Sequence, residues 1–222
     1  LSKAFKSKNF SKVSKIQNRS VELSLLFSIP ASIGLIIASE EIINGLFGYG
    51  SFSMDDVELT SNALMFFGFG IIAFALVKIL SNFFFARDNT KTPFYISSLI
   101  VFLNVIISLS LFNKVGFLII PIATSISTWI GVLIFLYYLQ KRRYLLLQNK
   151  IFKNILKIIV SSIIMAVILM LLLDKFSSYK KIKIKVNGKN RSISETYKLS
   201  DLIKHLKIPM KKVAIELNEE II

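Results

Sequence analysis

The sequence predicts an all-α polytopic membrane protein of about five transmembrane helices, followed by a small α+β tail. Three observations carry this. First, apolar stretches of about 20 residues, enough to cross a hydrocarbon core about 30 Å thick, recur along residues 1–175. The whole chain of 222 residues is 54% hydrophobic with mean hydropathy +0.63, and a soluble domain of this length rarely needs apolar runs so long. Second, the cations lie between those runs. Lys and Arg number 28 against 13 Asp and Glu, a net charge of +15, and their grouping is that of cytoplasmic loops. Third, the period changes after Asp174, where KIKIKVNGK alternates as a half-buried strand does.

Composition also excludes. Without cysteine there are no disulfides or thiolate metal sites, and His205 alone makes no histidine cluster. The chain holds no Ser/His/Asp set, no phosphate-cradling glycine loop and no metal spacing. It therefore reads as a transporter and not an enzyme, with no catalytic residue, metal or cofactor. Nucleic acid is excluded as a partner because the cations do not share one folded face with interleaved aromatics. Membrane lipids are the expected surroundings.

Residues 1–20 carry Lys3, Lys6, Lys8, Lys12, Lys15 and Arg19 without an acid, and read as cytoplasmic, either a solvated loop or a basic interfacial helix. The first span runs roughly from 22 to 47 and contains Pro30 and Gly34; Glu40 and Glu41 read as solvated helix-end acids. GYGSFSMDDVE (48–58) is an acidic outer loop in which Ser53, followed by acids, reads as an N-cap. The second span, about 61–85, has Lys78 as its only formal charge. Lys78 reads as a cation snorkelling to the inner interface, with substrate contact as the other reading. Gly68 and Gly70 allow close helix approach. ARDNTKTP then closes the helix, its Pro93 disfavouring helix at the residue before it.

The third span, about 94–112, holds Asn104, read as interhelical glue. The fourth, about 117–139, has a small polar face of Thr124, Ser125, Ser127 and Thr128. A basic loop from Gln140 to Lys157 follows, and the fifth span is about 158–173. In the tail, Asn187-Gly188 signals a hairpin, ISETYKLS (193–200) the returning strand, 199–206 a capped amphipathic helix carrying His205, and VAIELN (213–218) a third strand.

Residues 1 to about 173 resemble the C-terminal half of the MurJ/MviN family, the lipid II flippases of bacterial peptidoglycan synthesis, which share a superfamily with the MATE exporters. Four stretches carry the resemblance: Leu1-Ser2-Lys3; Ile29-Pro30-Ala31 with Gly34; Phe47 to Ser53, with Gly50 and Phe52; and Lys78-Ile79-Leu80 followed by Phe84 to Pro93, with Arg87, Asp88, Lys91, Thr92 and Pro93. The last is the most specific, and there Phe85 stands where the family usually has Tyr. The resemblance implies a MATE/MOP-like half. Its spans would be the ninth to thirteenth of about fourteen, with the start and the ARDNTKTP turn cytoplasmic, in a bacterial inner-membrane protein working by alternating access on lipid II, its undecaprenyl-pyrophosphate-linked substrate, in cell wall biogenesis. The family's cavity arginines belong largely to the other lobe, so no substrate-binding residue is carried over. Lys78 and the Arg87-Asp88-Lys91 turn are expected in packing or the inner gate. A MATE-like exporter, which would need an intramembrane acid, is the alternative within transport.

Residues 181–222 resemble the sulfur carrier ThiS of thiamine biosynthesis, a ubiquitin-like fold, through Ile184 to Lys189, Leu199-Ser200-Asp201-Leu202 and Val213 to Asn218. That family acts through a C-terminal Gly-Gly, whereas this sequence ends at Ile221-Ile222. An odd number of spans would also leave the tail outside. The expectation is therefore a partial gene product, a truncated flippase joined near Asp174 to part of a neighbouring gene; a membrane-anchored sulfur carrier is the alternative.

Overall fold

The computed structural model of the chain describes residues 9–49 and 51–179 without interruption. It also describes residues 2, 5 and 7 and the strand residues 181–186, 189–194, 216–217 and 220–221, with side chains as far as Lys175. Gly50, the 187–188 turn, the 199–206 helix with His205, and most of the expected third strand lie outside the described residues.

Among the described residues five long helices dominate. α1 (Phe10–Ile37) is followed by short α2 (Ser39–Phe47), then α3 (Met54–Phe85), α4 (Lys91–Val115), α5 (Ile119–Lys141) and α6 (Asn149–Tyr179). α1 begins well before the expected 22, because Asn9 caps it by accepting from the Lys12 amide at 2.9 Å. The basic segment is therefore helical from Phe10 onward. α1 runs through Pro30 and ends at Ala38. Glu40 and Glu41 open a separate helix, in the first turn of α2, where acids complement the positive end of the helix dipole. α3 starts at the foreseen cap. Ser53 Oγ accepts from the Asp56 amide at 3.2 Å, and Asp56 accepts from the Ser53 amide at 2.9 Å, a capping box.

α4 and α5 form a hairpin. Gly116 turns the chain with φ 73°, a conformation that favours glycine. Asn104 Nδ2 donates to Thr124 Oγ1 at 2.7 Å across the pair, as expected of interhelical glue, and Ile100 packs on Gly131. α6 is 31 residues long rather than a short span from 158. Ile151 and Ile158 are buried, so the apolar stripe continues backwards through the basic stretch and the loop shrinks to 142–148.

The helices stand in an open row: α6 against α1, α1 against α3, α3 against α5, α5 against α4. Glycines set the close approaches of the central helix. A Cβ at Gly68 would meet Ile36 Cγ1 of α1 at 2.9 Å, and one at Gly70 would meet Ser125 Oγ of α5 at 2.7 Å. The α3 carbonyls there accept from both neighbours: Ser32 Oγ to Gly68 O at 2.8 Å, Ser125 Oγ to Phe66 O at 2.7 Å and Trp129 Nε1 to Phe69 O at 3.0 Å. Ser125, Ser127 and Thr128 are buried, so the small polar face of α5 is packing surface.

The hydrophobic core joins Val21, Leu25, Leu80, Phe83, Phe84, Phe135, Leu139 and Ile151, which gather toward one end of the row. The outer helices expose long apolar faces, with Phe102 and Leu109 on α4 and Ile164 and Leu171 on α6. Phe10–Ile37, Met54–Phe85, Lys91–Lys141 and Asn149–Lys175 are long and apolar enough to cross a membrane; the third of these is the α4–α5 hairpin.

In the tail, β1 (Lys181–Val186) pairs antiparallel with β2 (Lys189–Ser194), Val186 opposite Lys189. The two-residue connection falls where Asn187-Gly188 predicts it. The returning strand begins directly after that turn and not at 193. β3 (Glu216–Leu217) pairs with β4 (Glu220–Ile221). Among the described residues these strands form two separate pairs.

Candidate functional site: the locked basic end

Because successive helices alternate in direction, one end of the row collects the start of α1, the α3–α4 turn and the α5–α6 connector. It carries Lys12, Lys15, Arg19, Arg87, Lys91, Lys141, Arg142, Arg143, Lys150 and Lys153. Glu40, Glu41, Asp55, Asp56 and Glu58 lie at the other.

Two helix ends at the basic end share one geometry. After α3, Asn89 N donates to Phe84 O at 3.2 Å and Asp88 N to Phe85 O at 3.0 Å, around a left-handed Asp88 of φ 55°. After α5, Tyr144 N donates to Leu139 O at 2.8 Å and Arg143 N to Gln140 O at 2.9 Å, around a left-handed Arg143 of φ 52°. Both are Schellman motifs, whose left-handed position is usually glycine. Asn89 then starts α4, exchanging hydrogen bonds with Thr92: Thr92 N to Asn89 Oδ1 and Asn89 Nδ2 to Thr92 Oγ1, each 3.1 Å.

These turns deliver Arg87 and Tyr144 to each other. Arg87 Nη1 donates to Phe83 O at 2.6 Å and Nη2 to Tyr144 O at 2.8 Å. Its guanidinium lies 4.4 Å from the Tyr144 ring centroid and 4.8 Å from that of Phe5, as cation–π partners do. Nε is buried without a hydrogen-bond partner. Burial presses the guanidinium below its ordinary range and Tyr144 opposes that shift; arginine stays charged at any physiological pH.

The connector is held from its other side by α1. Gln17 Nε2 donates to Tyr144 O at 2.8 Å and Gln17 Oε1 accepts from Leu146 N at 3.1 Å. Asn18 Nδ2 donates to Leu146 O at 2.9 Å, Asn18 Oδ1 accepts from Gln148 N at 2.9 Å, and Ser14 Oγ donates to Leu146 O at 2.7 Å. These side chains thus satisfy backbone groups of a connector that has no regular secondary structure of its own. Sequence reasoning missed Ser14, Gln17, Asn18 and Tyr144. A signal was present: Ser14, Gln17 and Asn18 share one helix face by spacing, uncharged within a basic segment.

Beside the turn, α3 and α4 diverge around an open groove of about 810 Å³, lined by Lys78, Ser81, Asn82, Phe85, Lys91 and Tyr95 among others. Lys78, Lys91 and Pro93 share this groove, whereas Arg87 turns to Tyr144, Asp88 sits in the turn and Thr92 pairs with Asn89. Pro30 sits apart, within α1, and Phe52 lies at the acidic end, its ring 6.1 Å from that of Phe47.

An open row of long apolar helices, basic at one end and acidic at the other, with polar side chains spent on locking helix ends, defines part of a polytopic membrane protein. The comparisons say which kind. A family model described as lipid II flippase MurJ matches residues 1–187. A probable lipid II flippase MurJ of Rickettsia prowazekii is 32% identical over 179 residues, 81% of this chain and 35% of that protein. One from Thermotoga maritima is 33% identical over 156 residues, 70% of this chain and 31% of that protein. A solved structure, lipid II flippase MurJ in an inward closed conformation, matches with TM-score 0.66 at 29% identity, over 77% of this chain and 35% of that one. The chain belongs to the lipid II flippase MurJ family, and it spans about a third of the length of these relatives.

Proposed function

We propose that the chain is part of a lipid II flippase of the bacterial inner membrane, supplying second-lobe helices to a protein that exposes the lipid-linked peptidoglycan precursor first inside and then outside. The observation that carries this is the structural likeness to a lipid II flippase at 29% identity over 77% of the chain. The charge pattern sets the orientation. The basic end faces the cytoplasm and the acidic end faces out, so each of the five long helices crosses the bilayer. Lys78 snorkels along the groove toward the basic end. The Arg87–Tyr144 lock holds the cytoplasmic ends of the helices so that the lobe rocks as a body. The hairpin β1–β2 is consistent with the start of a ubiquitin-like segment. A sulfur-carrier activity or cation export is not favoured, since the relatives named above are all flippases.

The test is a chimera. Residues 1–179 replace the matching segment of the Thermotoga maritima flippase, and the product is expressed in cells depleted of their own lipid II flippase. Growth with normal shape is expected. A chimera that accumulates in the membrane and leaves cells to lyse overturns the proposal.

A further inference from the structure

The basic end has a feature that a set of independent caps would lack. One backbone oxygen, Tyr144 O, accepts from Gln17 Nε2 of α1 at 2.8 Å and from Arg87 Nη2 of the α3–α4 turn at 2.8 Å. Arg87 is tied back to α3 through Phe83 O at 2.6 Å, and Tyr144 to α5 through Leu139 O at 2.8 Å. The ring contacts run along the same route, with Tyr144 5.8 Å from Phe84 and Phe84 5.9 Å from Phe135.

We propose that the Tyr144 carbonyl is the joint of a latch that couples the α1 start, the α3–α4 turn and the α5–α6 connector into one opening unit, so that none of the three loosens alone. Each donor reaches the carbonyl only while the connector is held in the present path. Arg87 fixes that path at Tyr144, and Gln17 and Asn18 fix it at Leu146 and Gln148. Losing either hold frees the connector and so weakens the other. The coupling must be reciprocal, since it is a free energy shared between two sites. The latch lies beside the groove between α3 and α4: it pins α1, α3 and α5 at this end, while α4 meets α3 only slightly and packs instead along α5.

Hydrogen exchange on the full chain in lipid nanodiscs tests this, and it reads the latch whether or not the chain moves lipid II. The Leu146 and Gln148 amides donate only to α1 side chains, and Arg87 touches neither. With Arg87→Ala, exchange at both amides is expected to rise on the order of tenfold or more, the factor that one charged hydrogen bond commands. With Gln17→Leu, the Asp88 and Asn89 amides should accelerate in return. Mid-helix amides of α4 serve as the folding control. If Arg87→Ala unfolds that control, Arg87→Lys, which keeps the charge and loses the forked donor, takes its place with the same expectation. Accelerated exchange confined to Tyr144 and the turn, with Leu146 and Gln148 unchanged, overturns the latch. So does a Gln17→Leu protein whose Asp88 and Asn89 amides exchange at the parent rate.

Discussion

Gly70→Ala isolates the packing of the central helix. The added Cβ would stand 2.7 Å from Ser125 Oγ, 3.0 Å from Phe74 Cε2 and 3.4 Å from Ser125 Cα. The phenyl edge can swing and 3.4 Å is ordinary contact, so the hydroxyl carries the conflict. It must leave Phe66 O, which it now meets at 2.7 Å. Overpacking costs about 1–3 kcal/mol and the lost hydrogen bond about 1 kcal/mol, while alanine returns about 1 kcal/mol of helix propensity. The net loss is therefore about 1–3 kcal/mol. Ser125→Ala alone forfeits only the hydrogen bond, about 1 kcal/mol. In the double variant the 2.7 Å conflict is gone and the hydrogen bond is lost once rather than twice, so its loss should fall below the sum of the singles by about 2–4 kcal/mol. Unfolding of the four proteins in detergent, followed by tryptophan fluorescence, measures the cycle. A Gly70→Ala chain as stable as the parent, or strictly additive losses, would refute the packing geometry.

Other expectations follow from the same structure. Arg143→Gly should stabilise by about 0.5–1 kcal/mol because Arg143 sits at φ 52°, whereas Arg143→Val should destabilise; paired denaturation curves decide the sign. Ser53→Ala removes the α3 cap and should cost about 1 kcal/mol, read as a lower midpoint in the same assay. Asn104→Leu, which deletes the donor to Thr124, should cost about 0.6–1.7 kcal/mol, in the range of interhelical hydrogen bonds in membranes. On the cysteine-free background, Asn89→Cys should react with impermeant thiol reagents only from the cytoplasmic face and Asp55→Cys only from outside. The reverse labelling would invert the orientation.

The sequence announced the helices better than their ends. Apolar runs identified α1, α3, α4, α5 and α6 because crossing a bilayer demands length and little else. The Ser53 N-cap was legible because local hydrogen bonding fixes it. The start of α1 and the first turns of α6 were not. Cations on an exposed face look like loop when the buried face is carried by only a few residues, such as Val13 or Ile151. At the site, the resemblance singled out Arg87, Asp88, Lys91, Thr92 and Pro93, but the partner of Arg87 lies 57 residues along the chain. Tyr144 O is a backbone atom and leaves no mark on side-chain pattern. The left-handed Asp88 and Arg143 stand where glycine would have signalled a helix end.

The most direct test of the account as a whole is movement of lipid II itself. Spheroplasts expressing the chimera in place of their own flippase are treated with an impermeant enzyme that cleaves the lipid II headgroup, and the cleaved fraction is measured against a matched chimera that carries Arg87→Ala. The account predicts headgroup cleavage near the level of cells with an intact flippase, and less with Arg87→Ala. Uncleaved lipid II accumulating inside, with the chimera folded and present in the membrane, would contradict it.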